Sequence, residues 1–314
     1  MAKYNLEQTK GDMEWDNFIL RSQNRNIYAM SDYISLENNI QFFYIKKNNE
    51  VIGAIPLKFN NNKIEECNFL IQTPIIYRKL DNANSYRKNQ EQLKIVDAVK
   101  NFLIKKFNSG FVTLDYHTYD IRPFLWSNTD FKITQKYTLL VDIKKYDHDT
   151  FASTSLFKDY SYTKKNETLR SEKQGYKFVE NFSKKIFLQM TRDTLKHQGK
   201  EYNQNYYENT LNILEKFYKK KLVTMFFVYN DNNLVTAAII SKINKFSTYL
   251  FSARSSVFQN TSYAGSFMIK NIFSYLKKEN FESFDFEGMN SEKNSFYKMN
   301  YGGILKTYYK LEFN

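Results

Sequence analysis

The side chains best suited to chemistry are two acidic residues near the C-terminal end of the sequence. Asp285 and Glu287 lie two apart, in and just after the β-strand-like run Ser283–Phe286, and residues two apart on a strand share a face. Two carboxylates on one face can bind an amine or accept its proton. A strand-end cap is the structural alternative for Asp285. No Ser-His-Asp or Cys-His motif stands out, so no nucleophilic side chain is predicted.

Basic side chains form a second set of candidates, suited to a phosphate group. One predicted helical segment holds Lys164, Lys165, Arg170 and Lys173. Their spacing lets some of them share a face toward a phosphate, with a solvated helix surface as the alternative. His197 can bind phosphate as an imidazolium ion or accept a proton.

The composition limits the class of protein. A net charge of +13 favours polyanionic partners such as nucleic acids, nucleotide diphosphates, coenzyme A or anionic lipid headgroups. The sequence is also rich in Asn, Tyr, Phe and Ile, the residues that AT-rich codons specify along with Lys, so the charge permits these partners without selecting one. One cysteine, Cys67, excludes an intrachain disulfide, and with three histidines no metal site is expected.

The distribution of apolar residues predicts a soluble protein. No apolar run approaches the roughly 20 residues that cross a bilayer. The first residues lack the apolar core and cleavage site of a secretory signal, so we expect a cytoplasmic location. A length of 314 residues is enough for two domains with separate cores.

Apolar periodicity places elements around these candidate residues. In the first half it predicts short helices around Trp15–Ile19 and Ile27–Ile34, a hairpin of Gln41–Lys46 and Val51–Leu57, a strand-like run over 64–77, a long helix over Leu93–Phe107, and strands at Phe111–Tyr116 and Tyr137–Ile143. In the second half it predicts helices at Phe151–Gln174, Phe182–His197 and Tyr206–Lys219, a hairpin of Leu222–Tyr229 and Leu234–Ile240, a strand at Thr248–Phe251, a helix at Tyr263–Lys278, and strands at Ser283–Phe286 and Leu305–Leu311.

The second half therefore repeats the element order of the first without obvious sequence identity. We interpret this as two copies of one α/β unit. The polar run Lys144–Thr150 separates the copies, which predicts one domain at 1–146 and another at 147–314.

Three motifs in the second half resemble those of a known family. They are, in order, Asn260-Thr261-Ser262-Tyr263-Ala264, Phe284-Asp285-Phe286-Glu287-Gly288 and Tyr297-Lys298-Met299-Asn300-Tyr301-Gly302. Together with the doubled element order they resemble the FemAB/FemX family of GNAT-type acyltransferases, in particular its small members without a helical arm. The segment ending in Thr194-Leu195-Lys196-His197-Gln198-Gly199 is similar to that family's Arg-x-Gly turn, with His197 where Arg is usual.

The resemblance implies a fold and a set of site residues. The fold would be α/β of the α+β type, with two tandem GNAT-like domains, each a twisted mixed sheet flanked by helices. Lys298 matches the lysine implicated in stabilising the tetrahedral intermediate or neighbouring phosphates, so the implied catalytic set is Lys298, Asp285 and Glu287. The implied substrate- and donor-binding set is His197, Lys165, Arg170, Arg254, Asn260 and Tyr263.

The resemblance also implies a reaction, in which an acceptor amine attacks an acyl donor directly. The expected product is an acylated or aminoacylated amine of a bacterial cell-envelope precursor, either an amino sugar of a surface polysaccharide or a peptidoglycan stem peptide. Acyl-CoA or aminoacyl-tRNA would be the co-substrate, with no permanently bound cofactor. Gln259–Gly265 is a poor match to a pyrophosphate loop, which disfavours ordinary coenzyme A binding.

The expected partners are a nucleotide- or lipid-linked precursor, tRNA, and the inner membrane as a peripheral contact. The alternative hypothesis is a basic RNA-binding protein that has the same fold and no catalytic activity.

Overall fold

A computed structural model describes residues 3–67, 72–197, 199–255 and 262–314. Its α-helices are α1 Met13–Arg21, α2 Ser31–Ile34, α3 Ser85–Lys106, α4 Arg122–Leu125, α5 Ser155–Lys158, α6 Tyr162–Ser171, α7 Lys184–His197, α8 Gln204–Lys219, α9 Ser262–Lys278 and α10 Glu292–Met299. Its β-strands are β1 Tyr4–Thr9, β2 Ile40–Lys47, β3 Glu50–Asn60, β4 Lys63–Ile64, β5 Ile76–Tyr77, β6 Ser109–Thr113, β7 Phe131–Asp142, β8 Tyr176–Glu180, β9 Val223–Asn230, β10 Asn233–Ser241, β11 Phe246–Arg254, β12 Ser283–Asp285 and β13 Ile304–Phe313.

The chain forms two compact units. Unit 1 consists of Met1–Lys136 with Thr307–Asn314, and unit 2 consists of Tyr137–Lys306. The predicted domains, 1–146 and 147–314, are each one continuous segment of the sequence. Their boundaries stay a prediction.

Unit 1 contains a sheet in the strand order β1, β2, β3, β4, β6, β13, with β5 also paired to β3. Neighbouring strands are antiparallel except β4 and β6, which are parallel. Asn48, at φ 57°, forms the tight turn between β2 and β3, a conformation that Asn tolerates. Helix α3 buries Ile95, Val96, Val99 and Leu103 in the core of this unit, as its three- and four-residue apolar spacing requires.

Unit 2 contains a sheet in the order β8, β9, β10, β11, β12, β7. Here β11 and β12 are the parallel pair, and the other neighbours are antiparallel. Helix α9 connects the two parallel strands and buries Met268, Ile269, Ile272, Phe273 and Leu276 in the core of the unit. The predicted repeat is confirmed, since each unit has a meander of three strands, a parallel pair joined through a long helix, and a final antiparallel strand.

The last strand of each sheet comes from the other half of the sequence, which was not predicted. Unit 1 takes β13 from the end of the chain, in the register Lys310 opposite Thr113. Unit 2 takes the C-terminal part of β7 from the middle of the chain, with Leu140 opposite Asp285. Sequence order alone assigns each strand to the half in which it occurs.

Three sequence predictions about local structure were wrong. The region 151–174 is not one helix, because α5 and α6 are separated at Asp159–Ser161 and the Ser161 hydroxyl caps α6 by accepting from the Lys164 N–H at 3.2 Å. Among the described residues of the strand-like run 64–77, strands contain only Ile64, Ile76 and Tyr77, so the half-buried Cys67 is not a strand residue. Strands β1 and β8 were missed, because the apolar alternation of these half-exposed edge strands covers only two residues each, Tyr4 and Leu6 in β1 and Tyr176 and Phe178 in β8.

Candidate functional site

The candidate site in unit 2 begins where its two parallel strands part. Strands β11 and β12 pair over three residues, with Phe246 opposite Ser283 and Thr248 opposite Asp285. Strand β12 then ends, whereas β11 continues to Arg254 beside β10. Along the other edge of residues 249–253 the described strands provide no partner, so backbone N–H and C=O groups there can bind a ligand. We call this place, between residues 249–254 and the turn 285–288, the strand opening.

The two predicted carboxylates lie in the turn that ends β12. Asp285 and Glu287 are both buried. The Asp285 carboxylate accepts hydrogen bonds from the Thr138 hydroxyl and, at 2.7 Å, from the Glu287 N–H. Glu287 and Gly288 both have positive φ, 53° and 45°, so the Asp285 carboxylate stabilises an unusual backbone turn. The capping role considered for Asp285 is therefore present in the structure, and a catalytic role for it stays a prediction.

Lys298, on α10, binds the same turn. Its ammonium donates to the carbonyl oxygens of Glu287 and, at 3.0 Å, of Gly288. Burial lowers the pKa of Lys298, while the nearby carboxylates of Glu287 and Asp285 oppose part of that shift. The structure thus brings together the three residues predicted as catalytic, Lys298, Asp285 and Glu287. The ammonium of Lys298 lies near the carboxylates of Glu287 and Asp285 at the end of β12. The charge of each group therefore affects how readily the others bind a proton.

A second polar cluster lies beside the first. Tyr297, which precedes Lys298 on α10, shares a 2.9 Å hydrogen bond between its hydroxyl and that of Tyr301. The Lys164 ammonium on α6 lies 4.9 Å and 5.0 Å from the ring centroids of these two tyrosines. It also donates to Glu167 at 2.5 Å and to the Ser266 hydroxyl at 3.4 Å. We call Lys164, Glu167, Ser266, Tyr297 and Tyr301 the tyrosine cluster.

Two predicted binding residues lie at the far end of β11. The Thr194 hydroxyl on α7 donates to the Arg254 carbonyl at 3.0 Å and accepts from its N–H at 2.9 Å. This fixes the C-terminal part of α7, which ends at His197, against the end of β11. The Arg254 guanidinium is also close enough to Tyr297 to oppose, in part, the rise in the pKa of that phenol that burial causes. Arg254 therefore borders the strand opening.

The remaining predicted binding residues lie elsewhere or are outside the described part of the chain. Lys165 turns away and donates to the Lys158 carbonyl at 2.8 Å. Arg170 is exposed near the end of α6. Tyr263 is near Tyr176 of β8, where its phenol contributes to raising the pKa of Tyr176, which burial raises most. Asn260 lies outside the described residues.

Sequence reasoning gave no site role to most of the tyrosine cluster. Lys164 was considered only as one of four lysine and arginine residues in a basic segment. The missed signal is the spacing of Lys164, Thr168 and Ser171, which form the buried face of α6 although none of them is a large apolar residue. A helix whose inward face is polar requires polar partners, and α9 supplies Ser266.

The described ranges contain neither a candidate metal site nor a candidate membrane-spanning helix. No group of three or more His, Cys, Asp or Glu side chains there could hold a metal ion. No helix in those ranges has the length and apolar character needed to cross a bilayer.

Comparison with known proteins identifies the fold. No protein-family model matches the sequence, and no curated protein matches it. Among solved structures, FemX matches with a TM-score of 0.65 over 96% of each chain, at 12% sequence identity. The chain has the fold of FemX.

Two further solved structures agree with this assignment. The L-PGS protein from Bacillus licheniformis matches with a TM-score of 0.60 at 12% identity, covering 96% of this chain and 92% of that chain. A tandem GNAT protein from the clavulanic acid biosynthesis pathway matches with a TM-score of 0.53 at 7% identity, covering 99% and 98%. The fold is thus the doubled GNAT fold predicted from the sequence. At these identities the similarity establishes the fold, and function has to be argued from the site.

Proposed function

We propose that this protein is an N-acyltransferase whose reaction takes place at the strand opening of unit 2. The observation that carries the proposal is the group formed by Lys298, Glu287 and Asp285 at the end of β12. This group lies beside a strand edge that can bind an extended ligand, on a fold shared with FemX and tandem GNAT proteins.

The proposed reaction is direct transfer between two bound substrates. The acceptor amine attacks the carbonyl carbon of the donor, forming a C–N bond and a tetrahedral intermediate with a negative oxygen. Collapse breaks the C–S bond of a thioester or the C–O bond of an aminoacyl ester. The amine loses one proton and the leaving group gains one, so no nucleophilic side chain is required.

The residues of the site have separate roles in this proposal. The Lys298 ammonium, fixed by two backbone carbonyls, stabilises the negative oxygen. The Glu287 carboxylate binds the incoming amine and accepts its proton. The Tyr297 hydroxyl supplies the proton that the leaving group takes. Arg254, at the end of β11, attracts donor phosphates.

The donor is acyl-CoA or aminoacyl-tRNA, and the acceptor is an amine on a cell-envelope precursor. A phosphate-containing substrate suits a protein with a net charge of +13. The structural neighbours include a putative lysylphosphatidylglycerol synthetase as well as an acetyltransferase of the GNAT family, so both donor classes need testing. These donors, and the acceptor precursors, are found in the cytoplasm, where we place the reaction.

Purified protein should be incubated with each donor and a panel of amine acceptors. The panel contains nucleotide-linked amino sugars, a nucleotide-linked stem peptide and a lipid-linked precursor, and mass spectrometry detects the acylated product. We expect product with one donor class, and we expect Lys298→Met to abolish most of it. Titration with acetyl-CoA and with charged tRNA then shows which donor binds.

The absence of product with both donor classes would count against catalysis. In that case RNA binding should be measured in the wild type and in the double variant Lys298→Ala, Asp285→Ala. Tight, salt-dependent binding that survives both substitutions would favour the RNA-binding alternative.

A further inference from the structure

Helix α6 buries a charge that the proposed reaction does not use. Only 5% of Lys164 is exposed, and the rest of the buried face, Thr168 and Ser171, is small and polar. Burial of an ammonium group costs free energy unless it is paired and hydrogen-bonded. An apolar side chain would be buried here at a lower cost in free energy. The presence of a lysine therefore points to a role for its charge.

Those contacts fix the ammonium from two directions. On one side is the Glu167 carboxylate at 2.5 Å, which also accepts from the Ser266 hydroxyl at 3.0 Å. On the other side are the faces of Tyr297 and Tyr301, with centroids at 4.9 Å and 5.0 Å. Aromatic faces attract cations, so the ion pair of α6, which Ser266 of α9 joins by hydrogen bonds, supports both tyrosine rings.

The Tyr297 hydroxyl is fixed at a close approach to α9. A Cβ atom added to Gly265 would lie only 2.9 Å from that hydroxyl oxygen, so the first turns of α9 leave space for it only because residue 265 is glycine. The hydroxyl is hydrogen-bonded to Tyr301, whose own hydroxyl interacts with Ser266. Tyr297 as a whole residue is nevertheless 38% exposed. The residue is therefore partly open to solvent while its hydroxyl is held by the cluster.

The surroundings of Tyr297 locate that hydroxyl at the strand opening. Tyr249 and Arg254, both in the part of β11 that extends beyond its pairing with β12, are close enough to interact electrostatically with it. Its neighbour in sequence, Lys298, binds the turn at the end of β12. The hydroxyl is also tied to the turn that ends β12, because it is hydrogen-bonded to Tyr301, whose ring stacks on that of Phe286 at 5.3 Å.

We infer that the Lys164–Glu167 ion pair and Gly265 are positioning elements, which hold the Tyr297 hydroxyl in the geometry that proton transfer to the leaving group requires. This inference rests on the proposed function. Lys164 and Glu167 touch neither substrate in this arrangement and act only through Tyr297. This role explains why a charged residue, Lys164, lies on the buried face of α6.

A Gly265→Ala variant tests the position of the hydroxyl with little risk to folding. Alanine favours a helix more than glycine does. Among the described residues, and apart from the chain neighbours and backbone of α9 itself, the atoms within 4 Å of the added Cβ belong to the outer end of the Tyr297 side chain. A 3-fluorotyrosine placed at position 297 reports on the ring by ¹⁹F NMR. We expect Gly265→Ala to shift and broaden that resonance while the melting temperature stays the same or rises.

Lys164→Met tests the ion pair, with Lys184→Met as its matched control. Lys184 and Glu215 form a partly exposed ion pair in the same unit, at 2.7 Å, and neither residue belongs to the candidate site. We expect Lys164→Met to move the ¹⁹F resonance and Lys184→Met to leave it unchanged. If Lys164→Met fails to fold, the variant Lys164→Met, Glu167→Gln removes both charges and avoids an unpaired buried carboxylate.

Kinetics then separate positioning from structural support. Displacement of a reacting group by about 1 Å can cost on the order of 100-fold in rate, so we expect kcat to fall roughly 10- to 100-fold in Gly265→Ala and Lys164→Met with KM little changed. The double variant Lys164→Met, Tyr297→Phe should be no slower than Tyr297→Phe alone, because both changes act on one hydroxyl.

Each result decides the inference. Multiplicative losses in the double variant would overturn it, as would an unchanged ¹⁹F spectrum in both Gly265→Ala and Lys164→Met. The NMR measurement needs no substrate, so it remains informative if no acyl transfer is found. A shifted resonance in a protein without acyl transfer would refute the proposed function and leave the positioning of Tyr297 established.

Discussion

Replacement of Lys298 by methionine should separate catalysis from stability. Methionine keeps an unbranched apolar stem and removes the ammonium group, which donates to the carbonyls of Glu287 and Gly288. Hydrogen bonds to a charged group contribute about 1.5–3 kcal/mol each. The pKa of Lys298 is lowered by burial, so desolvation of the ammonium already offsets part of that contribution. We expect a net loss of about 2 kcal/mol in the free energy of unfolding.

The effect on rate should be larger. Loss of one group that stabilises a developing oxyanion typically costs about 2.7–4 kcal/mol, or roughly 100- to 1,000-fold in kcat. A domain with about 5–15 kcal/mol of stability remains folded after the expected loss. Unfolding therefore cannot account for a 100-fold decrease at 25 °C.

The assay combines steady-state kinetics with urea unfolding of the same samples. Lys293→Met is the matched control, because Lys293 is an exposed lysine of the same helix, α10. We expect the control to change neither kcat nor the urea midpoint appreciably. A Lys298→Met protein with kcat/KM within threefold of wild type would refute the assignment of Lys298 to the transition state.

Three further predictions concern pH, packing and thiol reactivity. Burial lowers the pKa of Lys298 below its ordinary value of 10.5. Activity that needs the ammonium should therefore fall as pH rises through that lowered pKa. In a pH–rate profile of Lys298→Arg, the alkaline decrease in rate should occur at higher pH. Between the lowered pKa and 10.5, Lys298 is protonated more in the unfolded state than in the folded state. The free energy of unfolding of the wild type should therefore rise with pH in this range relative to that of Lys298→Met, which urea midpoints measure. Gly110→Ala should destabilise unit 1 by about 2 kcal/mol in urea unfolding, because its Cβ would lie 2.4 Å from the Cβ of Ile64; a loss under 0.5 kcal/mol would contradict the packing. Burial, and then the Glu37 carboxylate, raise the pKa of the Cys67 thiol to about 12, so a disulfide reagent at pH 8 should react at least about 100-fold more slowly with folded than with urea-unfolded protein.

The strongly periodic elements of the fold could be predicted from the sequence. Helix α3 and the hairpins of β2 with β3 and β9 with β10 were found because buried elements need apolar residues at fixed spacing. Edge strands such as β1 and β8 were missed, since they gain stability from pairing with a neighbour more than from burial. The break between α5 and α6 was missed because the capping serine at position 161 competes with continued helix only in its folded context.

The candidate site shows the same division. The sequence placed Asp285, Glu287 and Lys298 in motifs with a consistent order, and the structure brings these three together. Their catalytic roles stay predictions. Lys165 was predicted as a binding residue and Lys164 was not, because the sequence does not show which of two adjacent lysines faces inward.

The sequence by itself determined the order of the strongly periodic elements and the doubled unit, because both follow from local spacing of apolar residues. Only the tertiary structure decided which strand completes each sheet, since β13 and β7 pair with strands far away along the chain. Only the tertiary structure placed the Lys164–Glu167 ion pair beneath Tyr297, because Lys164 and Ser266 meet across 102 positions of the sequence. Contacts of that separation depend on the packing of α6 against α9, which no local pattern specifies.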